Sequence, residues 1–200
     1  VRSDYPVMTS SDQWKFANGW LACARPVPSP NFNARPTEAA PELIVIHGIS
    51  LPPGEYGGPY IEALFTNQLN PADHAYFSEV AHLMVSAHFL IRRDGEIVQF
   101  VSTDDRAWHA GESCWERRSN CNDFSIGIEV EGCDEERYEM PQYRVLAQLI
   151  RAVRNQYPAI QHDAIVGHSD IAPTRKTDPG PAFDWLQLKQ LLGAVKGEQG

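Results

Sequence analysis

The chain has 200 residues and a formal net charge of −9, with 42% hydrophobic and 10% aromatic residues, the profile of one globular domain with a full core rather than of a disordered or fibrous chain. No apolar run approaches the roughly 18 to 20 residues of a membrane span. No basic block is longer than the one in the Glu-Arg-Arg of 116–118, which argues against polyphosphate and nucleic-acid partners and leaves a neutral or small ligand.

The opening VRSDYPVMTSSDQ lacks the basic and apolar regions of a secretory signal. Met8 reads as the native start with residues 1–7 appended to it. On this reading 1–18 form an N-terminal extension, 19–195 the folded domain and 196–200 a polar tail, and the protein stays in the cytoplasm as a monomer. Cys23, Cys114, Cys121 and Cys133 form no C-x-x-C pair, so reduced thiols are expected, with a Cys114–Cys121 bridge as the alternative.

ELIVIHGIS (42–50) predicts a buried strand that delivers His47 to a loop edge. PYIEALFTNQL (59–69) predicts a helix with Ile61, Leu64 and Phe65 on one side. SAHFLIRRDGEIVQFV (86–101) predicts a hairpin turning at Asp94-Gly95, a pair suited to a type I′ turn with positive φ at both positions. In FSIGIEVEG (124–132), Phe124, Ile126, Ile128 and Val130 alternate with Ser125, Gly127, Glu129 and Glu131, so one face packs and the other carries two acids. A helix follows Pro141 with Leu146, Leu149, Ile150, Val153 and Tyr157 on one stripe, and another carries Trp185, Leu188, Leu192 and Val195. Strands interleaved with helices, one pair antiparallel, imply an α/β domain with a mixed central sheet flanked by helices.

Most of the seven histidines have ordinary readings. His74 and His162 sit in polar surroundings as surface residues, His82 and His88 flank a strand start as hydrogen-bonded structural residues, and His109 is undecided. His47 differs because it ends an apolar strand, where a polar ring must hydrogen-bond or bind something. His168 and Asp178 bracket a proline-rich loop, GHSDIAPTRKTDPGPAF (167–183), too proline-broken for a regular helix. Two imidazoles and one carboxylate are the usual protein ligands of a catalytic zinc. No short zinc signature is present, and His168 bracing the loop with Asp178 capping a helix is an equally open reading. Glu129 shares a strand face with Gly127, where a glycine leaves room for a ligand or another chain. It suits the general base of a zinc hydrolase, or else a solvent-facing acid like Glu131. Lys176 suits an oxyanion partner or an exposed loop lysine.

Together LIVIHGISLPPGEYGG, VSAHFLIRRDGEIVQFV, RAWHAGES, CNDFSIGIEVEG and GHSDIAPTRKTDPGPAFDW, spanning Gly19 to Trp185 in order, resemble the zinc N-acetylmuramoyl-L-alanine amidases, most closely their cytoplasmic type. The resemblance implies the amidase-2 fold shared with peptidoglycan-recognition proteins. It implies Zn2+ on His47, His168 and Asp178, catalytic roles for Glu129 and Lys176, and Trp108, Gly48 and Ala172 as substrate-binding residues. The implied substrate is a 1,6-anhydro-N-acetylmuramoyl peptide imported during wall recycling, cut between the lactyl carbonyl and L-alanine, which lowers the muropeptide signal for β-lactamase induction. Asp170 and Arg175 become loop braces. Gly48 stands where relatives commonly have asparagine, and Met84 and Asn120 where some have arginines, which bears on peptide-length preference. Two other classes are a non-catalytic muropeptide-binding module and a non-haem iron oxygenase. The complete ligand set argues against the first, and the lack of a close H-x-D/E pair against the second.

Overall fold

A computed structural model describes residues 12–193. Its centre is a six-stranded sheet made, in chain order, from β1 (Arg25–Pro26), β2 (Leu43–Ile49), β3 (Phe89–Ile91), β4 (Ile97–Gln99), β5 (Ser125–Glu131) and β6 (Ile165–Gly167). The spatial order is β6-β2-β5-β3-β4-β1. All neighbours are parallel except the antiparallel pair β3 and β4. The helices are α1 (Tyr60–Phe65), α2 (Phe77–Val80), α3 (Met140–Gln156), α4 (His168–Ile171) and α5 (Trp185–Gly193). The α/β class and the mixed sheet are therefore as expected. Among the described residues, no helix is long and apolar enough to cross a membrane.

Strands β2 and β5 occupy the middle of the sheet and pair over seven residues. Parallel strands covered on both faces read as near-continuous apolar runs, which explains LIVI at 43–46. Ile126, Ile128 and Val130 of β5 pack with Leu146, Leu149, Ile150 and Val153 of α3 and Leu188 of α5. The opposite face carries a second cluster in which α1 supplies Ile61, Leu64 and Phe65, α2 supplies Phe77, β3 supplies Leu90 and β4 supplies Val98. All seven residues of β5 are buried. This corrects the expectation that Glu131 faces solvent: a strand flanked on both sides and covered above and below has no wet face.

Local chemistry sets the element ends. The Gln142 side chain accepts the Glu139 backbone N–H at 2.8 Å ahead of Pro141 in the first turn of α3. Tyr157 lies just beyond the end of that helix. Helix α1 stops short of 69, with Asn67 in the left-handed region at φ 59°. Val195 lies outside the described residues. The hairpin forms, but not on a type I′ turn: only Gly95 takes positive φ, at 93°, and its N–H bonds the Arg92 carbonyl at 2.9 Å. The turn is thus a three-residue loop, with a turn closed onto Gly95, in place of a two-residue one. The Asp94 side chain supports it by accepting the Glu96 N–H at 2.9 Å.

Two strands gave no readable signal. β6 is three residues long, and β1 is two residues with Pro26 at the sheet edge, where a missing donor costs little. Trp14 and Phe16 pack against the core, so the folded unit begins before the boundary expected at residue 19. The four cysteines are free, Cys121 buried and Cys114 exposed.

Candidate metal centre

His47 lies near the C-terminal end of β2, and His168 opens α4 directly after β6, the parallel neighbour of β2. Adjacent parallel strands thus deliver both rings to one crevice at the carboxyl ends of the sheet, the usual ligand position in open α/β sheets. Asp178 follows on the proline-rich loop, where its carbonyl accepts the Ser169 N–H at 3.0 Å. His47 Nδ1 lies 2.9 Å from His168 Nδ1, and Asp178 Oδ2 lies 3.3 Å and 3.1 Å from those two nitrogens. Among the described residues these three form the group of His, Cys, Asp or Glu side chains whose donor atoms, all within 4.8 Å of one another, could hold a metal ion.

Hydrogen bonds behind the rings decide where their lone pairs point. His168 Nε2 lies 3.1 Å from the Ala110 carbonyl. A carbonyl only accepts, so Nε2 carries a proton and Nδ1 is the nitrogen left to face the cluster. His47 Nε2 lies 2.9 Å from His109 Nδ1, and His109 Nε2 lies 3.1 Å from Ser125 Oγ, which itself donates to the Cys121 carbonyl at 2.6 Å. Read back from that carbonyl, Ser125 accepts from His109 Nε2–H, His109 Nδ1 accepts from His47 Nε2–H, and His47 Nδ1 is left a lone pair. Burial pulls the His47 imidazole down to about 4 and His109 well below its usual value, so both are neutral at pH 7. Two ring nitrogens whose partner nitrogens already donate elsewhere therefore converge with a carboxylate oxygen. Such a donor set fits a cation.

Glu129 is the register partner of His47 on the adjacent parallel strand, so both side chains leave the same face side by side. It is 8% exposed, and its Oε2 is buried without a hydrogen-bond partner. Burial pushes its pKa well above the usual carboxylate value and the Asp178 charge adds to this, while Lys176 opposes it. Glu131, two residues on, accepts from Gly57 N–H at 2.7 Å, Arg92 Nη1 at 3.1 Å and Arg93 N–H at 3.1 Å. It is a satisfied structural acid.

His47, Gly48, Trp108, Glu129, His168, Lys176 and Asp178 share one cleft of about 560 Å³, whose apolar part includes Leu51, Leu64, Val80, Leu83 and Val85. Trp108 is half-buried and its Nε1 donates to Asn33 at 2.7 Å. At Gly48, a Cβ would stand 2.3 Å from Tyr138 Oη, so this residue meets the cleft with backbone alone. Ala172 does not line the cleft. It is buried, and its carbonyl accepts the Arg175 and Lys176 N–H groups at 3.0 and 2.9 Å, shaping the turn that presents Lys176. Met84 is 62% exposed, and Asn120 is exposed with φ at 58°; neither lines the cleft. Asp170 and Arg175 are braces: Asp170 accepts Gly167 N–H at 2.7 Å, and Arg175 donates to the Ala110 and Glu112 carbonyls at 2.6 and 2.7 Å. The loop itself is less irregular than its prolines suggest, since it opens with the one-turn α4.

Sequence reasoning left His109 undecided and passed over Ser125 and Asn122. Asn122 Oδ1 accepts the His109 and Ala110 N–H groups at 3.1 and 2.8 Å. The available signal was Gly127: the space it leaves is taken by the His109 ring, whose Cγ lies 2.4 Å from where a Cβ would be. His88 sits behind, fully buried, with Nδ1 accepting the Gly127 N–H at 3.0 Å, the structural role expected of it. His82 is exposed, not braced, while His74 and His162 lie on the surface as read.

The sequence matches the Amidase_2 family, N-acetylmuramoyl-L-alanine amidase, over residues 37–181. It is 58% identical over 174 residues to the 1,6-anhydro-N-acetylmuramyl-L-alanine amidase AmpD of Escherichia coli (strain K12), covering 87% of this chain and 94% of the relative. A crystal structure of a selenomethionine AmpD derivative superposes with a TM-score of 0.86 at 56% identity, covering 88% of this chain and 98% of the other. The amidase AmiD of E. coli, in complex with anhydro-N-acetylmuramic acid-L-Ala-D-gamma-Glu-L-Lys, matches with a TM-score of 0.56 at 29% identity, over 78% of this chain and 60% of the other. With a family match over most of its length and a near-complete relative at that identity, the chain is a member of the N-acetylmuramoyl-L-alanine amidases.

Proposed function

We propose that this amidase is zinc-dependent and hydrolyses the amide between the lactyl carbonyl and L-alanine of 1,6-anhydro-N-acetylmuramoyl peptides. The observation that carries the reading is the convergence of His47 Nδ1, His168 Nδ1 and Asp178 Oδ2, beside a buried Glu129 with an unpartnered oxygen. His47, His168 and Asp178 would hold the ion, two imidazoles and one carboxylate being a usual protein donor set of catalytic zinc. The relatives' activity and the ligand in the AmiD complex support the substrate class.

When bound, zinc would supply a water activated at neutral pH and a Lewis acid toward the scissile carbonyl. Glu129 accepts the proton released by the attacking water, since burial raises its proton affinity above that of an exposed carboxylate. It then returns that proton to the departing alanine nitrogen. Lys176, at the edge of the same cleft, sets its ammonium toward the oxyanion that develops at the carbonyl. Trp108 offers an apolar wall, and the Gly48 backbone borders the peptide. The reading carries with it action as a monomer in the cytoplasm, on imported recycling intermediates, and a consequent fall in the muropeptide signal for β-lactamase induction.

Mass spectrometry of digests tests this directly. Anhydromuropeptides incubated with the metal-replete enzyme release L-alanyl peptide and the anhydro-sugar, and a chelator stops the release. Intact substrate in both arms overturns the reading, and elemental analysis showing iron in place of zinc overturns the metal assignment.

A further inference from the structure

We infer that His109 is a positioning residue of the metal centre, holding His47 as the Nε2–H tautomer through a hydrogen-bond relay that ends on the Cys121 carbonyl. The inference rests on His47 being a metal ligand and goes beyond it, because His109 itself offers no donor atom to the ion. Its Nδ1 faces His47 Nε2 at 2.9 Å, its Nε2 faces Ser125 Oγ at 3.1 Å, and Ser125 Oγ donates to the Cys121 carbonyl at 2.6 Å. Only one proton arrangement satisfies this chain, since its last acceptor cannot donate. The imidazole of a ligand is often fixed by a carboxylate or a carbonyl. In this protein a second, neutral imidazole takes that place for His47, while a carbonyl serves His168 from the adjacent residue, Ala110.

Three independent features hold the relay. Asn122 Oδ1 accepts both the His109 and Ala110 N–H groups, fixing the backbone from which both ligand contacts leave. Gly127 opens the space: a Cβ there would lie 2.4 to 2.6 Å from His109 Cγ, Nδ1 and Cδ2. The rings of His47 and His109 meet edge to face at 5.0 Å and 88°, and His88 packs against His109 at 5.8 Å. His109 is 9% exposed, so water has little access to replace its acceptor nitrogen. Removing that acceptor leaves a buried His47 N–H unsatisfied and frees the ring to place its proton on Nδ1, where it blocks metal.

The test is zinc affinity of the metal-free protein, measured by competition with a chromophoric chelator, together with the 15N imidazole spectrum of His47. Wild type is compared with His109→Leu, His109→Asn, Ser125→Ala and His168→Ala. We expect His109→Leu to lose about 10- to 100-fold in zinc affinity, the usual cost of removing such a partner, and to lose the pure Nε2–H signature. His109→Asn, which puts an amide oxygen near the position of Nδ1, recovers most of that loss. Ser125→Ala keeps the ring and the fold but frees its Nε2–H, with an expected loss of at least about threefold and a mixed tautomer spectrum. Zinc affinity within about twofold of wild type and an unchanged His47 spectrum in Ser125→Ala, or in a folded His109→Leu, overturn the inference. If wild type binds zinc no better than His168→Ala, the metal reading itself falls.

Discussion

Glu129 and His47 stand side by side on adjacent parallel strands, paired in register, and leave the sheet on the same face. The proposed base and the proposed metal ligand are thus fixed by seven consecutive register pairs between β2 and β5 and not by a loop, which suits chemistry that tolerates little displacement.

That placement makes Glu129→Gln informative, because the change keeps the shape and removes the basic oxygen. We expect a fall of 10²- to 10⁴-fold in kcat, the range for a general base, with zinc content unchanged. Activity within about tenfold of wild type at full zinc occupancy would remove Glu129 from the base role.

Lys176→Ala is expected to lower kcat with little change in KM, by roughly 3 to 4 kcal/mol or about 10²- to 10³-fold, if its ammonium meets charge that exists only in the transition state. A rise in KM with kcat intact would instead assign it to substrate binding.

Each of His47→Ala, His168→Ala and Asp178→Ala is expected to leave protein that elutes metal-free from dialysis against stoichiometric zinc, while wild type retains one equivalent by elemental analysis. Breaking the set at any of the three removes the convergence of donors that makes the site.

Gly127→Ala probes the floor under His109. The new methyl would meet a buried ring at 2.4 Å, so the ring must move. The expected result is a stability loss of about 1 to 3 kcal/mol in denaturant titration, typical of overpacking, accompanied by weaker zinc binding. Unchanged stability would show that the ring yields freely.

Away from the site, Glu62 links the sheet to α1. It accepts from Arg25 at 2.7 Å and Arg92 at 2.6 Å, and its pKa is lowered chiefly by the Arg25 hydrogen bond, with Arg92 adding to it. A carboxyl with a depressed folded-state pKa contributes stability above its unfolded value, near 4.5, and loses it as pH falls through the folded value. Thermal unfolding of Glu62→Gln should therefore show a deficit against wild type at pH 7 that narrows below about pH 4.5. A deficit independent of pH would assign the loss to packing.

Periodicity and turn chemistry were enough to place β2, β5, the hairpin and α3, because those patterns depend on neighbours a few residues apart. The resemblance of five ordered motifs implied the candidate ligand trio and the proposed role of Glu129, which spacing alone left open. The sequence by itself therefore determined the α/β class, the buried strands and which residue types were available for metal chemistry. What spacing alone left open was whether Glu129 meets a ligand or faces solvent as Glu131 was expected to, since both occupy the same face of one strand. The tertiary structure separates them by their partners: Arg92, Gly57 and Arg93 surround Glu131, while Glu129 stands beside His47 with one oxygen unpartnered. His109 was undecided for the same reason, its acceptor role being set by His47, 62 residues away. A side chain's charge state and hydrogen-bond role are fixed by whatever faces it across the packed interior, and only the folded chain brings those groups together.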